Sequence, residues 1–375
     1  MLPTSAAIAV TELFAGTPYR MVRPLAVGGM AEVYLVAHRG MGRQFVAKVP
    51  RGELIANPQI VDRMRVEAQA TGRLNHPHIL SAAGFGTTSD GRPYIVTEYL
   101  QGRTLTAELA ERGRLPIAEA LQYSCELLSA LVAAHALGIV HRDIKPDNLF
   151  VCQNPDGSRF IKVLDFGIAR VLPDAPEAAP RPLSDTTATG VLIGTPRWLS
   201  PEAAMGGRVD HRGDVYSAGL VIYLLVAGRG PFDHIRGDDM LLTAHAIEDA
   251  ERASKLSEAP LPPELDALLA KALQKEPTER FQTAEEFLKR IESIRAVLLH
   301  SPRLLETSVY KPFGAVAEEE HDSSSSASGE RSLAIAPPSA RSLSAPVAMA
   351  VFLLAVSAAA ALGSVVVSLI SGSWP

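Results

Sequence analysis

Cysteine is scarce in this chain, with Cys125 and Cys152 the only two among 375 residues. Both lie in apolar stretches with no partner motif. That excludes a disulfide framework or a thiolate metal site and leaves two small buried hydrophobes of a reducing compartment. A basic excess is missing as well: the formal net charge is -5 and no long Lys/Arg run occurs, so charge points to no nucleic-acid partner. The N-terminal stretch Met1–Gly16 has no basic n-region and is interrupted by Glu12, which excludes a secretory signal peptide. None of the histidines stand at metal-ligand spacing. His76 and His78 share a turn, His135 ends a helix, and all three are assigned to structure. No internal repeat is present.

What is abundant is apolar surface, 47% of the residues, enough for a sizeable core in one large domain of two lobes or in two small domains. Three zones follow one another. From about Tyr19 to Leu299 strand and helix patterns alternate with short turns. Val33–Val36 and Phe45–Val49 read as strands separated by Gly40 and Gly42, and Tyr94–Thr97 as another. Between them a helix is expected from about Gln59 to Leu74. After Gly102 the pattern turns helical, with Ile117, Leu121, Cys125, Leu128 and Leu131 on one face. A strand-rich small lobe (about 19–99) followed by a helix-rich large lobe (about 102–299) is an α+β arrangement, joined near Glu98–Gly102.

Residues 300–346 form the second zone. Glu318–Glu320, Ser323–Ser326 and a Ser/Ala/Pro-rich stretch bury too little apolar surface to offset ordering entropy, which predicts a disordered linker. The third zone, Val347–Ile370, runs 24 residues without a charge. As a helix it spans about 36 Å against about 30 Å of bilayer hydrocarbon, and it is apolar all round, so it reads as a transmembrane helix. Arg331 and Arg341 precede it and no charge follows, which agrees with a cytoplasmic preceding domain and a short external tail, 371–375.

The residues that carry chemistry are concentrated in His141-Arg142-Asp143-Ile144-Lys145-Pro146-Asp147-Asn148, followed seventeen positions after Asn148 by Asp165-Phe166-Gly167. Both segments resemble loops of the eukaryotic-type protein kinase family, whose phosphoryl transfer needs a group that orients a hydroxyl nucleophile and accepts its proton, and divalent ions that offset charge on the phosphates. Asp143 suits the first task. Asp165 and Asn148 are hard oxygen ligands suited to Mg²⁺, and Lys145 is within reach of a transferring phosphate. In this order and spacing the two segments resemble the catalytic and metal-binding loops of the eukaryotic-type protein kinase family, and within it the bacterial serine/threonine (Hanks-type) kinases. The resemblance covers about residues 19–296 and implies a bilobal kinase fold acting on ATP with Mg²⁺ or Mn²⁺.

The same resemblance assigns further roles. Leu25–Tyr34 is similar to the glycine-rich hairpin over the ATP phosphates, with nucleotide contacts expected at Ala26, Val27, Gly28, Gly29, Met30 and Val33. It departs from G-x-G-x-x-G, since Ala26 and Ala31 replace two glycines, which predicts a stiffer loop. Val46-Ala47-Lys48 matches the strand lysine, with Glu67 as its ion-pair partner on the following helix and Ala47, Glu98 and Leu100 among the nucleotide contacts. Gly194–Glu202 resembles the substrate-docking end of the activation segment, and Asp214–Gly219 the helix that braces the catalytic loop. Arg280 matches the arginine that pairs with Glu202. His141 is expected to support the catalytic loop. Lys145-Pro146 and Thr195 resemble the serine/threonine branch, so the implied substrates are protein Ser/Thr hydroxyls.

Regulation is implied in the same way. Arg142 corresponds to the arginine that receives an activation-segment phosphate, and Thr187 and Thr189 to the threonine pair autophosphorylated in bacterial relatives, in a homodimer or otherwise. A second reading is a pseudokinase, whose foothold is the altered glycine loop; a third is a membrane scaffold working through its linker. Small-molecule kinases with a related fold usually lack the Gly194–Glu202 segment and rank last.

Overall fold

The structure, a computed structural model, describes residues 12–28, 31–52, 72–165 and 196–300. Gly29, Met30, Glu67, Thr187, Thr189, Thr195, most of the expected 59–74 helix and everything after His300, including the expected linker and the 347–370 span, lie outside the described residues.

The first lobe is a five-stranded antiparallel sheet. Its strands are β1 (Tyr19–Val27), β2 (Ala31–His38), β3 (Gln44–Pro50), β4 (Ala82–Thr87) and β5 (Pro93–Glu98), in the order β1-β2-β3-β5-β4. Aromatic and β-branched residues fill these strands, and their alternation sorts them onto two faces. One face carries Tyr19, Tyr34, Val36, Phe45, Ala47, Val49, Tyr94 and Val96, all buried in one cluster. Leu13 and Phe14 close over that cluster from upstream of β1. The Phe14 ring meets Tyr34 and Tyr94 edge-on at 5.9 and 5.4 Å, and the chain is pinned there because the Leu13 carbonyl accepts from the Ser89 amide at 2.9 Å.

The small-lobe core therefore includes Leu13 and Phe14, which precede Tyr19. Phe14→Ala is expected to cost about 3–5 kcal/mol, the usual range for a buried aromatic truncated to alanine. A urea midpoint within error of wild type would show that the upstream segment is dispensable.

The second lobe is helical, as expected, but contains a small sheet that the sequence patterns did not resolve. It comprises β6 (Gly102–Thr104), β7 (Leu149–Gln153) and β8 (Arg159–Val163) in antiparallel order. Gly102 opens it with φ of +149°, and a side chain there would run into the Val151 carbonyl. The helices are α1 (Leu105–Arg112), α2 (Ile117–Ala136), α3 (Pro201–Ala204), α4 (His211–Ala227), α5 (Asp238–Ile247), α6 (Ala253–Leu256), α7 (Pro263–Ala272) and α8 (Ala284–Leu299).

α4 is buried on every side, as an apolar helix at the centre of a core must be. Asp210 caps its first turn, accepting from the Arg212 amide at 2.8 Å, and Gly228 ends it in the left-handed conformation. Gly219 lets α7 approach: an added Cβ would meet Ala272 Cβ at 3.0 Å and Leu273 Cδ2 at 3.1 Å. α2 packs along α4, β8 and α8. Among the described residues α2 is the one helix long and apolar enough to cross a membrane, and half of it is buried inside this lobe.

Candidate active site

The segment 141–148 crosses between α2 and β7, and one carboxylate fixes its backbone. Asp214, buried in the first turn of α4, accepts from the His141 and Arg142 amides at 2.7 Å each and from His135 Nε2 at 2.8 Å. Two consecutive amides can converge on one carboxylate because Arg142 adopts φ of +62°. A non-glycine residue pays about 1–3 kcal/mol for such a conformation, offset here by charge-assisted bonds. His135 thus serves the loop, a role its position at a helix end did not reveal.

His141 is fully buried and both ring nitrogens are committed. Nδ1 accepts from the Asp143 amide at 3.2 Å and Nε2 donates to the Leu164 carbonyl at 2.9 Å. That pattern requires the neutral ring, and burial holds its pKa below the ordinary histidine value despite the nearby Asp214. His141 supports the loop, as expected, and links it to the segment that carries Asp165.

The catalytic candidates converge on that frame. Asp143 Oδ2 accepts from Asn148 Nδ2 at 2.9 Å and lies 3.1 Å from Lys145 Nζ. Asn148 Nδ2 also donates to the Asp143 carbonyl at 2.8 Å. With the amide nitrogen committed, Asn148 Oδ1 is the atom left to act as a ligand. The Asp143 and Lys145 side chains keep 18% and 17% of their surface in solvent, enough for a substrate hydroxyl to reach them.

Asp165 follows β8 at φ of +36°, and its Oδ2 is 3.2 Å from Lys48 Nζ. The Lys48 charge holds the Asp165 carboxyl below the usual carboxylate range. The two halves of the site are joined by the Leu164 amide, which donates to the Asn148 carbonyl at 2.8 Å.

Among the described residues no cluster of three or more His, Cys, Asp or Glu side chains could hold a metal. Asp165 and Asn148 instead offer one carboxylate and one amide oxygen. This donor set fits Mg²⁺, which binds through one or two protein oxygens and completes its shell with water and phosphate.

In the small lobe, Ala26, Val33, Lys48 and Ile95 are successive cross-strand neighbours on β1, β2, β3 and β5 and so share one face of the sheet. Ala26 and Val33 therefore share the face of the sheet that carries Lys48. Ala47 does not. Strand alternation turns it to the opposite face, where it is fully buried with Phe45, Val49 and Tyr34. Val46, not Ala47, shares the Lys48 face.

Gly28 forms the hairpin turn, its amide donating to the Ala31 carbonyl at 2.8 Å, and Val27 is half-exposed beside it. Leu100 lies in the connection between the lobes. The Glu98 carboxylate accepts from the Ser81 amide at 2.9 Å and pairs with Lys162 Nζ at 2.7 Å.

The remaining motif is structural. Arg280 is fully buried and its guanidinium grips Glu202 at 2.9 and 2.7 Å, the expected pair. Ser217 Oγ on α4 donates to the Trp198 carbonyl at 2.8 Å. These contacts hold the 196–204 segment on the large lobe.

The strand-rich and helix-rich lobes thus bring together a lysine–aspartate pair and a second aspartate held by lysine and asparagine. Residues 19–290 match the family described as protein kinase domain, and the chain belongs to that family. Its relatives include proteins named serine/threonine-protein kinases. A serine/threonine-protein kinase of Myxococcus xanthus, pkn3, is 34% identical over 74% of this chain and 50% of its own length. PknB of Mycolicibacterium smegmatis is 39% identical over 72% of this chain and 41% of its own. The chain thus matches half or less of the length of these relatives. The crystal structure of the Mycobacterium tuberculosis PknI kinase domain superposes with a TM-score of 0.56 at 28% identity, covering 76% of this chain and 98% of that one.

Proposed function

We propose that this chain transfers the γ-phosphate of ATP to serine and threonine hydroxyls of proteins, in signalling at a membrane. The observation that carries the reading is the Asp143 carboxylate, held at 2.9 Å by Asn148 and 3.1 Å by Lys145 on a loop fixed by Asp214. Asp143 orients the acceptor hydroxyl and takes its proton. Lys145 stays beside the transferring group, and Lys48 contacts the nucleotide phosphates from the sheet. His141 keeps the Asp143 amide fixed without exchanging protons itself. Mg²⁺ or Mn²⁺ at Asp165 and Asn148 would offset negative charge on the phosphates.

Two finer parts of the reading rest on sequence alone. Thr187 or Thr189 receives the first phosphate, in one copy of the chain from another, and Arg142 binds it. Residues 347–370 tether the kinase to the membrane with its catalytic domain in the cytoplasm.

The test is incubation of the full chain, recovered from the membrane fraction, with γ-labelled ATP and a generic protein substrate. Label on phosphoserine and phosphothreonine, with autophosphorylation mapped to 187 or 189, is the expected result. Absence of transfer with either metal would move the protein to the pseudokinase class, and recovery in the soluble fraction would remove the tether.

A further inference from the structure

The covalent connection between the lobes is short, running through Tyr99, Leu100 and Gln101 between β5 and β6. A second, non-covalent junction lies beside it. The segment 76–81, just ahead of β4, is stitched to β8. Ile79 and Val163 form a parallel bridge. The Leu80 amide donates to the Val163 carbonyl at 3.0 Å, and the Val163 amide to the His78 carbonyl at 2.9 Å. His78 Nδ1 donates to the Ile161 carbonyl at 2.9 Å.

At the centre of this seam sits Lys162 on β8. Its ammonium lies 2.7 Å from Glu98 Oε1, at the end of β5, and donates to the Ile79 carbonyl at 3.3 Å. The same Glu98 oxygen accepts from the Ser81 amide. The Lys162 and Glu98 side chains are 12% and 21% exposed, so the pair is largely out of water. Each charge is therefore costly to leave alone, and the geometry is maintained by the need to keep them together.

This contact closes a ring. Lys162 stands three residues before Asp165; Asp165 pairs with Lys48; Lys48 is the cross-strand neighbour of Ile95; and Ile95 lies on β5, three residues before Glu98. The ring passes through both lobes and contains the lysine and the aspartate that the proposed reaction needs together. Rotation of the small lobe about residues 99–101 would strain or open it at Lys162–Glu98.

We propose that Glu98 and Lys162 are positioning residues, a strut that sets the spacing of Lys48 and Asp165 across the nucleotide cleft. The proposal rests on the kinase reading for its role in catalysis, but the strut itself is read without turnover.

The experiment uses the full chain as wild type, Lys162→Met, Glu98→Gln, the double variant and Lys162→Arg. The methionine keeps the apolar stem and should fold, which melting temperature checks. In both single variants the KM for ATP is expected to rise about tenfold, roughly 1.4 kcal/mol of binding, while kcat falls less. The double variant is expected to be no worse than either single, and Lys162→Arg to restore most of the loss. Hydrogen exchange gives the turnover-free readout: the Glu98 amide, bonded to the Ser81 carbonyl, and the Leu164 amide should both exchange faster in the single variants than in wild type.

Unchanged exchange at both amides would overturn the strut whether or not the protein proves to be an active kinase. So would a double variant whose KM shift is the product of the two singles, or a fall in melting temperature with KM unmoved. A wild type that transfers no phosphate would count against the kinase reading alone, with the exchange result still deciding the strut.

Discussion

Replacing Asp143 with asparagine should lower kcat about 10²–10⁴-fold, the usual contribution of a positioned general base, and leave the fold intact. The substitution keeps the size and shape of the side chain. Its amide oxygen can still accept from Asn148 Nδ2, which now lies 2.9 Å from Asp143 Oδ2. The loop backbone does not depend on that carboxylate, because Asp214 holds the amides of His141 and Arg142, and His141 Nδ1 holds the amide of residue 143. What disappears is the negative charge that pairs with Lys145 and the basicity that accepts a proton.

The loss should therefore sit in kcat, with the KM for ATP nearly unchanged, since Lys48 and Asp165 lie on other elements. Steady-state transfer to a peptide substrate separates the two constants, and a thermal melt within a few degrees of wild type excludes unfolding. If the variant kept kcat within threefold of wild type, Asp143 would have to be relieved of the role and the acceptor hydroxyl assigned to another group.

The features legible in the sequence were those set by short-range chemistry. Asp143, Lys145 and Asn148 lie within six positions, and phosphoryl transfer prescribes their types, so their convergence at 2.9–3.1 Å could be anticipated. The strands β2, β3 and β5 were equally readable, because each is a compact run of β-branched and aromatic residues. At Ala47 the strand period decides: with Lys48 on the cleft side, a period of two puts Ala47 on the other face with Phe45 and Val49.

Other features carried no local signal. The use of Glu98 depends on Lys162, which is 64 residues further on. His135 reaches Asp214 across 79 residues. Leu13 and Phe14 are two apolar residues, too few to set a period, and their burial is visible only once β2 and β5 bring Tyr34 and Tyr94 together beneath them. The sheet of β6, β7 and β8 has strands of three and five residues, close to the lower limit at which alternation can be recognised. Pair contacts made at a distance, and elements short enough to be specified by their surroundings, are the parts that a single sequence leaves open.

The largest loss of stability is expected from Arg280→Met. Every N–H of that guanidinium is used. Nε donates to the Gln274 carbonyl at 2.8 Å, one terminal nitrogen to Glu202 at 2.9 Å and the Arg212 carbonyl at 3.1 Å, and the other to Glu202 and the Lys275 carbonyl at 2.7 Å each. The guanidinium carbon also lies 5.0 Å from the centroid of the Tyr216 ring. Methionine can fill the stem's volume, but it leaves the Glu202 carboxylate, only 13% exposed, without its counter-charge and three carbonyls without a donor.

Breaking a sheltered pair from one side costs about 3–5 kcal/mol. For a domain of this size that corresponds to a fall in melting temperature of about 10 °C. Arg280→Lys should recover little, because three ammonium donors on a flexible stem cannot serve acceptors arranged around a planar fork. Glu202→Gln combined with Arg280→Met should be less damaged than Arg280→Met alone, since the stranded charge is gone. The functional consequence is local. Glu202 lies in the first turn of α3, which follows the 196–198 turn by two residues, and Ser217 ties that turn to α4. A surviving fraction of Arg280→Met should therefore lose affinity for the protein substrate and keep its KM for ATP. A melting temperature within 2 °C of wild type would mean that the pair is not the anchor of the docking segment, and would shift that role to the Ser217–Trp198 contact.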